Sequence, residues 1–228
     1  EPYDRLSRLL ADRFSVVTFD MRGGSRSPDP EPGPITPRRL ADDLAAIVGA
    51  LDLGRVGVYG CSSGGQAVLA LGKYYPDIVR NIAVHEAALQ SEAPLPDSGF
   101  QYFANLMTFA PHLTGGVHPM DLLGGNADAA LSVGPECRQR MAHNSQFWRQ
   151  HYLGHVDKDT YSEADFASMP PVDFTVGAWS PAWLVYANLA TAQRGARSVT
   201  WVNCAHHPEL TCPEDYAAHL ARVFNAYA

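Results

Sequence analysis

The tightest constraint on the fold is one junction. The apolar run Arg55-Val56-Gly57-Val58-Tyr59-Gly60 passes through Cys61-Ser62-Ser63 into a small-residue helix from Gly64 to Tyr75, stopped by Pro76. A second β-prone run, Ile82-Ala83-Val84-His85-Glu86, follows at once. Strand, tight turn, helix, strand is a parallel crossover unit, and it predicts a parallel sheet with right-handed connections. The rest of the chain keeps this rhythm. Tyr3 to Phe14 places Leu6, Leu9 and Leu10 on one helical face, and Phe14 to Asp20 (FSVVTFD) reads as a buried strand. A loop over 21–37 holds five prolines between Pro28 and Pro37. Thr36 then suits an N-cap and Pro37 the first helical position, with Leu40, Leu44, Ile47, Val48 and Leu51 continuing the helix to about Leu53.

From Gln90 to about Met169 the alternation stops, and that stretch is rich in Met, His, Gly and aromatics. It resumes with Val172 to Gly177, a helix near 181–194, a strand over Ser198 to Asn203 and a last helix from Pro213. The expected architecture is α/β: a mainly parallel sheet flanked by helices, with core segments 1–89 and 170–228 and an inserted helical lid over 90–169. At 228 residues, 46% hydrophobic and 18% charged, the chain suits one globular domain. A net charge of −7 without basic clusters argues against nucleic acid and anionic membrane as partners. No apolar run approaches the roughly 20 residues that span a bilayer. Cys61, Cys137, Cys204 and Cys212 show no CxxC pairing, which argues against zinc and against a disulfide framework. Reduced thiols in a cytoplasmic protein are expected.

Gly60-Cys61-Ser62-Ser63-Gly64 fits G-x-S-x-G between strand and helix, the nucleophile elbow of α/β-hydrolases. In this frame Ser62 is the nucleophile, and the Ser63 N–H at the helix start is an oxyanion donor. A serine hydroxyl needs a base, usually histidine. In this fold the base follows the last strand, where the chain offers His206 and His207. His207 directly precedes Pro208, which holds its backbone extended, and this favours His206. The acid position after the strand over 172–177 is vacant: Ser180 stands where an aspartate is often found, and Asp173 lies inside the strand. Glu86, ending the strand after the elbow helix, sits at the same sheet edge one strand over from Ser62, and can orient the imidazole from there.

These motifs carry a resemblance. VVTFDMRGGSRS, VYGCSSGG, YYPDIVRNIAVHEAAL, VDFTVGAWSP and HHPELTCPEDY together resemble the fungal zearalenone hydrolases, α/β-hydrolases that open resorcylic macrolactones. The resemblance covers both core segments and is looser in the lid. It implies Glu86 of the His-Glu pair as acid and His206, seven residues before Pro213, as base. It also implies substrate contact by Trp148 in FWRQHY and, on the same helix face, by Tyr152. His207 stands where the fungal enzymes tend to have an aromatic residue and joins these two as a substrate-contacting candidate. The family begins with three further strands and a glycine-bearing loop that supplies the second oxyanion donor. None of these precedes Glu1, which implies part of a longer protein, with a sheet gap between VVTFD and VGVYG.

The reaction expected is cofactor-independent hydrolysis of a lactone or ester through an acyl-enzyme, without metal. The expected partner is that small molecule alone; a homodimer is left open. Dehalogenase and epoxide-hydrolase chemistry on this fold would want an aspartate in place of Ser62. A carboxylesterase, a carbon–carbon bond hydrolase and a slow-turnover ligand receptor are the alternatives.

Overall fold

The computed structural model describes residues 2–89, 92, 133–152, 155 and 159–227. Four parallel strands stand in sequence order: β1 (Val56–Cys61), β2 (Val79–His85), β3 (Val172–Gly177) and β4 (Val199–Val202). Helix α1 (Asp4–Ala11) opens the chain, α2 (Pro37–Ala50) precedes β1, and α3 (Ser63–Tyr74) joins β1 to β2. Between β2 and β3 the described helices are α4 (Pro135–His151) and α5 (Glu163–Ser168). Helix α6 (Ala182–Arg194) joins β3 to β4, and the short α7 (Pro208–Thr211) leads into α8 (Pro213–Asn225). Much of the expected lid, including 93–132, lies outside the described residues.

The expected α/β order holds because side chains alternate across the strands. Val58, Ile82, Val84 and Phe174 join one core with Leu69 and Leu71 of α3 and Ala187 of α6. Tyr59 and Ala83, one residue out of phase, join the opposite core with Leu6 and Leu10 of α1 and Leu220 and Phe224 of α8. Strand β2 has helices on both faces and is buried nearly throughout, as a central parallel strand must be. The Thr36 cap is formed as its spacing predicts: the Thr36 hydroxyl accepts the Arg39 N–H at 3.2 Å, with Pro37 at the first helical position.

The expected strand over Phe14 to Asp20 is a correction. Residues 15–21 carry no strand hydrogen bonding, and Val16, Val17 and Phe19 are exposed. A β-prone sequence becomes a strand only beside a partner about 4.8 Å away. Between this segment and β1 lies instead an apolar cavity of about 760 Å³, lined by Val17, Val56, Val58, Leu44, Val68 and Phe224 among others. Among the described residues the sheet ends at β1 on this side.

Parallel register brings all four strand ends to one edge. Cys61 is opposite His85, His85 opposite Thr175, and Gly177 opposite Val202. In open parallel sheets this carboxyl edge is where ligands bind, and the candidate residues follow it.

Candidate active site

The chain leaves β1 through a strained turn. Ser62 has φ 55° and ψ −119°, a left-handed conformation that a non-glycine residue adopts only when its surroundings impose it. The surroundings are visible. The Ser62 N–H donates to the His85 carbonyl at 3.0 Å, and the Ser62 carbonyl accepts from Ala88 N–H at 3.0 Å and Gln66 N–H at 3.2 Å. Close approach explains two glycines. A Cβ on Gly60 would lie 2.1 Å from the Gly64 carbonyl oxygen, and one on Gly65 would lie 2.8 Å from Ala87 Cα. Gly64, the second glycine of the motif, has open space where a Cβ would point. The crowding that fixes the elbow thus comes from Gly60 and Gly65. The Ser63 N–H lies in the first turn of α3, where backbone donors have no helical partner.

Two of the three backbone bonds of Ser62 reach His85 and Ala88, which bracket Glu86. Glu86 is also left-handed, with φ 45°, and fully buried. One carboxylate oxygen accepts the Gly177 N–H at 2.7 Å, and the other lies 2.7 Å from His206 Nδ1. Glu86 therefore spans from β2 to the end of β3, the position whose own turn offers only Ser180. Burial by itself would raise the Glu86 carboxyl. The His206 bond, the nearby His85 and His206 rings and the Gly177 N–H outweigh it and hold the group below the usual carboxylate range.

His206 is fully buried on the turn between β4 and α7. Its Nδ1 faces Glu86, while its buried Nε2 has no hydrogen-bond partner among the described residues. Burial is the largest influence on His206 and pushes its pKa down; the Glu86 bond pulls it up without cancelling that. The imidazole is therefore neutral at pH 7, and with Nδ1–H donating a hydrogen bond to the carboxylate, Nε2 is free to accept a proton. The Cys61 thiol donates to the His206 carbonyl at 3.1 Å, tying the residue before Ser62 to the base loop.

His207 takes a different direction. Its Nδ1 is 3.0 Å from Glu209 Oε1, and its ring lies 4.7 Å from that of His206. Trp148 and Tyr152 form the pair expected of i,i+4 spacing, with ring centroids 4.3 Å apart. Tyr152 is buried, packs with Ile35, Leu40 and Ala67, and its hydroxyl bonds the Gln66 side chain on α3. Both rings thereby anchor α4 onto the first turn of the elbow helix.

His85 is the chain neighbour of Glu86 at the end of β2. It is fully buried, its Nδ1 lies 2.9 Å from Thr175 Oγ1, and its Nε2 lies 3.8 Å from Glu86 Oε2. Thr175 continues to the Tyr216 hydroxyl at 2.9 Å. Burial drives His85 down to about 4, so it stands beside the carboxylate as a neutral ring. The signal for it in the sequence is its adjacency to Glu86.

Comparison with known proteins places the chain in a family. The chain is 28% identical to a zearalenone hydrolase of Bionectria ochroleuca, over 96% of this chain and 82% of that one. It is 28% identical to another zearalenone hydrolase, from Cladophialophora bantiana, over 97% and 83%. Among solved structures, a thermophilic esterase from Thermogutta terrifontis superposes with a TM-score of 0.71 at 18% identity, covering 99% of this chain and 85% of that one. The family described as alpha/beta hydrolase fold matches residues 1–166. Residues 1–166 carry the elbow and Glu86, and the chain belongs to the α/β-hydrolase family.

Proposed function

We propose that this hydrolase opens the ester bond of a lactone, a resorcylic macrolactone of the zearalenone type, through an acyl-enzyme on Ser62. The observation that carries the reading is the buried Glu86–His206 pair at 2.7 Å beside a strained Ser62 elbow. The relatives named zearalenone hydrolase support the choice of lactone.

In this reading His206 Nε2 takes the Ser62 proton as Oγ attacks the ester carbonyl. Glu86 accepts the Nδ1–H and stabilises the imidazolium without taking its proton. The oxyanion gains the Ser63 N–H at the α3 N-terminus. Collapse expels the ring oxygen, which His206 protonates; the alcohol stays tethered because the substrate was cyclic. His206 then deprotonates water, which attacks the acyl-enzyme and releases a hydroxy acid. In this reading Trp148 covers the substrate from the lid side and Tyr152 supports it, with the Tyr152 hydroxyl bonded to Gln66.

The test is incubation with zearalenone, followed by mass spectrometry for gain of one water, or that gain with loss of carbon dioxide. Turnover that vanishes in Ser62→Ala supports the reading. Cleavage of a simple aryl ester through Ser62 without zearalenone turnover would retain the hydrolase and reject the macrolactone.

A further inference from the structure

Cys61, His207 and Glu209 meet behind the base loop. Cys61 ends β1, one residue before Ser62, while His207 and Glu209 flank Pro208 at the start of α7. Cys61 Sγ lies 4.0 Å from His207 Nδ1, His207 Nδ1 lies 3.0 Å from Glu209 Oε1, and all three ligand atoms fall within 4.8 Å of one another. Cys61 and Glu209 are buried, whereas the His207 side chain keeps 28% exposure. The cluster has an outer partner too, for the Tyr59 hydroxyl donates to the second Glu209 oxygen at 3.4 Å.

We propose that these three side chains form a binding site for a thiophilic divalent cation of the zinc type, completed by one water on the exposed His207 side. Three features carry this. Thiolate, imidazole and carboxylate are the donor set zinc prefers. A tetrahedral ion with bonds of about 2.0–2.3 Å holds its ligand atoms about 3.3–3.6 Å apart. The observed 4.0 Å and 3.0 Å distances straddle that range and need only side-chain adjustment. The charge also closes: one thiolate and one carboxylate neutralise a dication, so no net charge is buried.

On binding, the Cys61 S–H bond breaks and its proton leaves to solvent. His207 keeps one proton, on Nε2, while Nδ1 gives its lone pair to the metal. The Tyr59 hydroxyl orients the carboxylate from outside, as second-shell groups do. Cys61 then no longer donates to the His206 carbonyl, and both chain neighbours of the site, Ser62 and His206, are the proposed nucleophile and base. Loading should therefore depress esterase turnover, while the binding itself stands apart from any choice of substrate.

The experiment is equilibrium dialysis of the purified protein against micromolar zinc with metal analysis, and titration with Co²⁺ to seek the near-ultraviolet thiolate-to-cobalt band. Expected is one zinc per chain and a thiolate band, both retained in Cys212→Ser. Losing a second-shell partner typically weakens metal binding about 10–100-fold, so losing a ligand in Cys61→Ser should weaken it at least about 100-fold. Glu209→Gln, checked for folding by circular dichroism, should weaken it as well. No zinc bound by the parent protein would overturn the proposal. So would zinc bound equally well by Cys61→Ser, which would place the metal elsewhere.

Discussion

The buried His85 ring makes acid stability a sharp test of the site's electrostatics. Its pKa is about 4 in the folded chain against 6.5 for an ordinary histidine. The folded value is the depressed one, so the unfolded chain binds the proton first as pH falls. The stabilisation is therefore fully present above 6.5 and is lost as pH drops towards 4. The whole gap, at about 1.36 kcal/mol per pH unit, corresponds to about 3 kcal/mol. Integrated from about pH 7.5 down to about pH 4.5, the loss is about 2–3 kcal/mol. Urea unfolding of the parent protein and of His85→Gln at both pH values gives two stability differences. Glu86 and His206 titrate in both proteins, so only the part of their titration that is coupled to His85 enters the comparison. The parent's stability relative to the variant should fall by about 2–3 kcal/mol between the two conditions. A difference that stays constant within about 0.5 kcal/mol would refute the claim that His85 is buried neutral beside Glu86.

Other outcomes follow from the same geometry. Glu86→Gln should lower kcat about 10³–10⁴-fold with KM little changed, because the imidazolium loses its counter-charge; stopped-assay kinetics on an aryl ester read both constants. The acid limb of kcat/KM should lie below the ordinary histidine value of 6.5, since burial depresses His206 and keeps the base unprotonated further into acid. Gly60→Ala should disrupt the elbow, its Cβ falling 2.1 Å from the Gly64 carbonyl, whereas Gly64→Ala enters open space. Thermal melting and esterase activity of the two variants should therefore diverge. Tyr152→Phe removes the Gln66 hydrogen bond and should destabilise by about 1–2 kcal/mol in urea unfolding; KM for a lactone reports whether the ring also meets substrate.

What could be read from the sequence was what depends on near neighbours. Strands β1 to β4 and helices α3, α6 and α8 follow from period and punctuation, and the Thr36 cap from two adjacent residues. The Glu86–His206 pairing was legible because a parallel sheet sends strand ends to one edge, which turns sequence order into position. The Val16–Phe19 run misled because its propensity is genuine while its hydrogen-bonding partner is a property of the whole sheet. That Gly65, outside the motif, is the glycine that meets Ala87 was not legible, since it depends on helix phase against β2. The Cys61–His207–Glu209 cluster escaped because Cys61 and His207 are 146 residues apart and no local spacing announces them.

The reach of Glu86 across to Gly177 has a consequence for how such a site can change. Among the described residues the turn after β3 holds the Glu86 carboxylate through the Gly177 backbone N–H, not through a side chain of 178–181. Ser180 Oγ lies buried there without a hydrogen-bond partner among the described residues, 2.6 Å from where a Gly177 Cβ would sit. An aspartate in place of Ser180 would bring its carboxylate next to Gly177 while Glu86 was still in place. The acid could then migrate from one strand to the next through an intermediate carrying both carboxylates, and neither step would pass through a chain that lacks an acid.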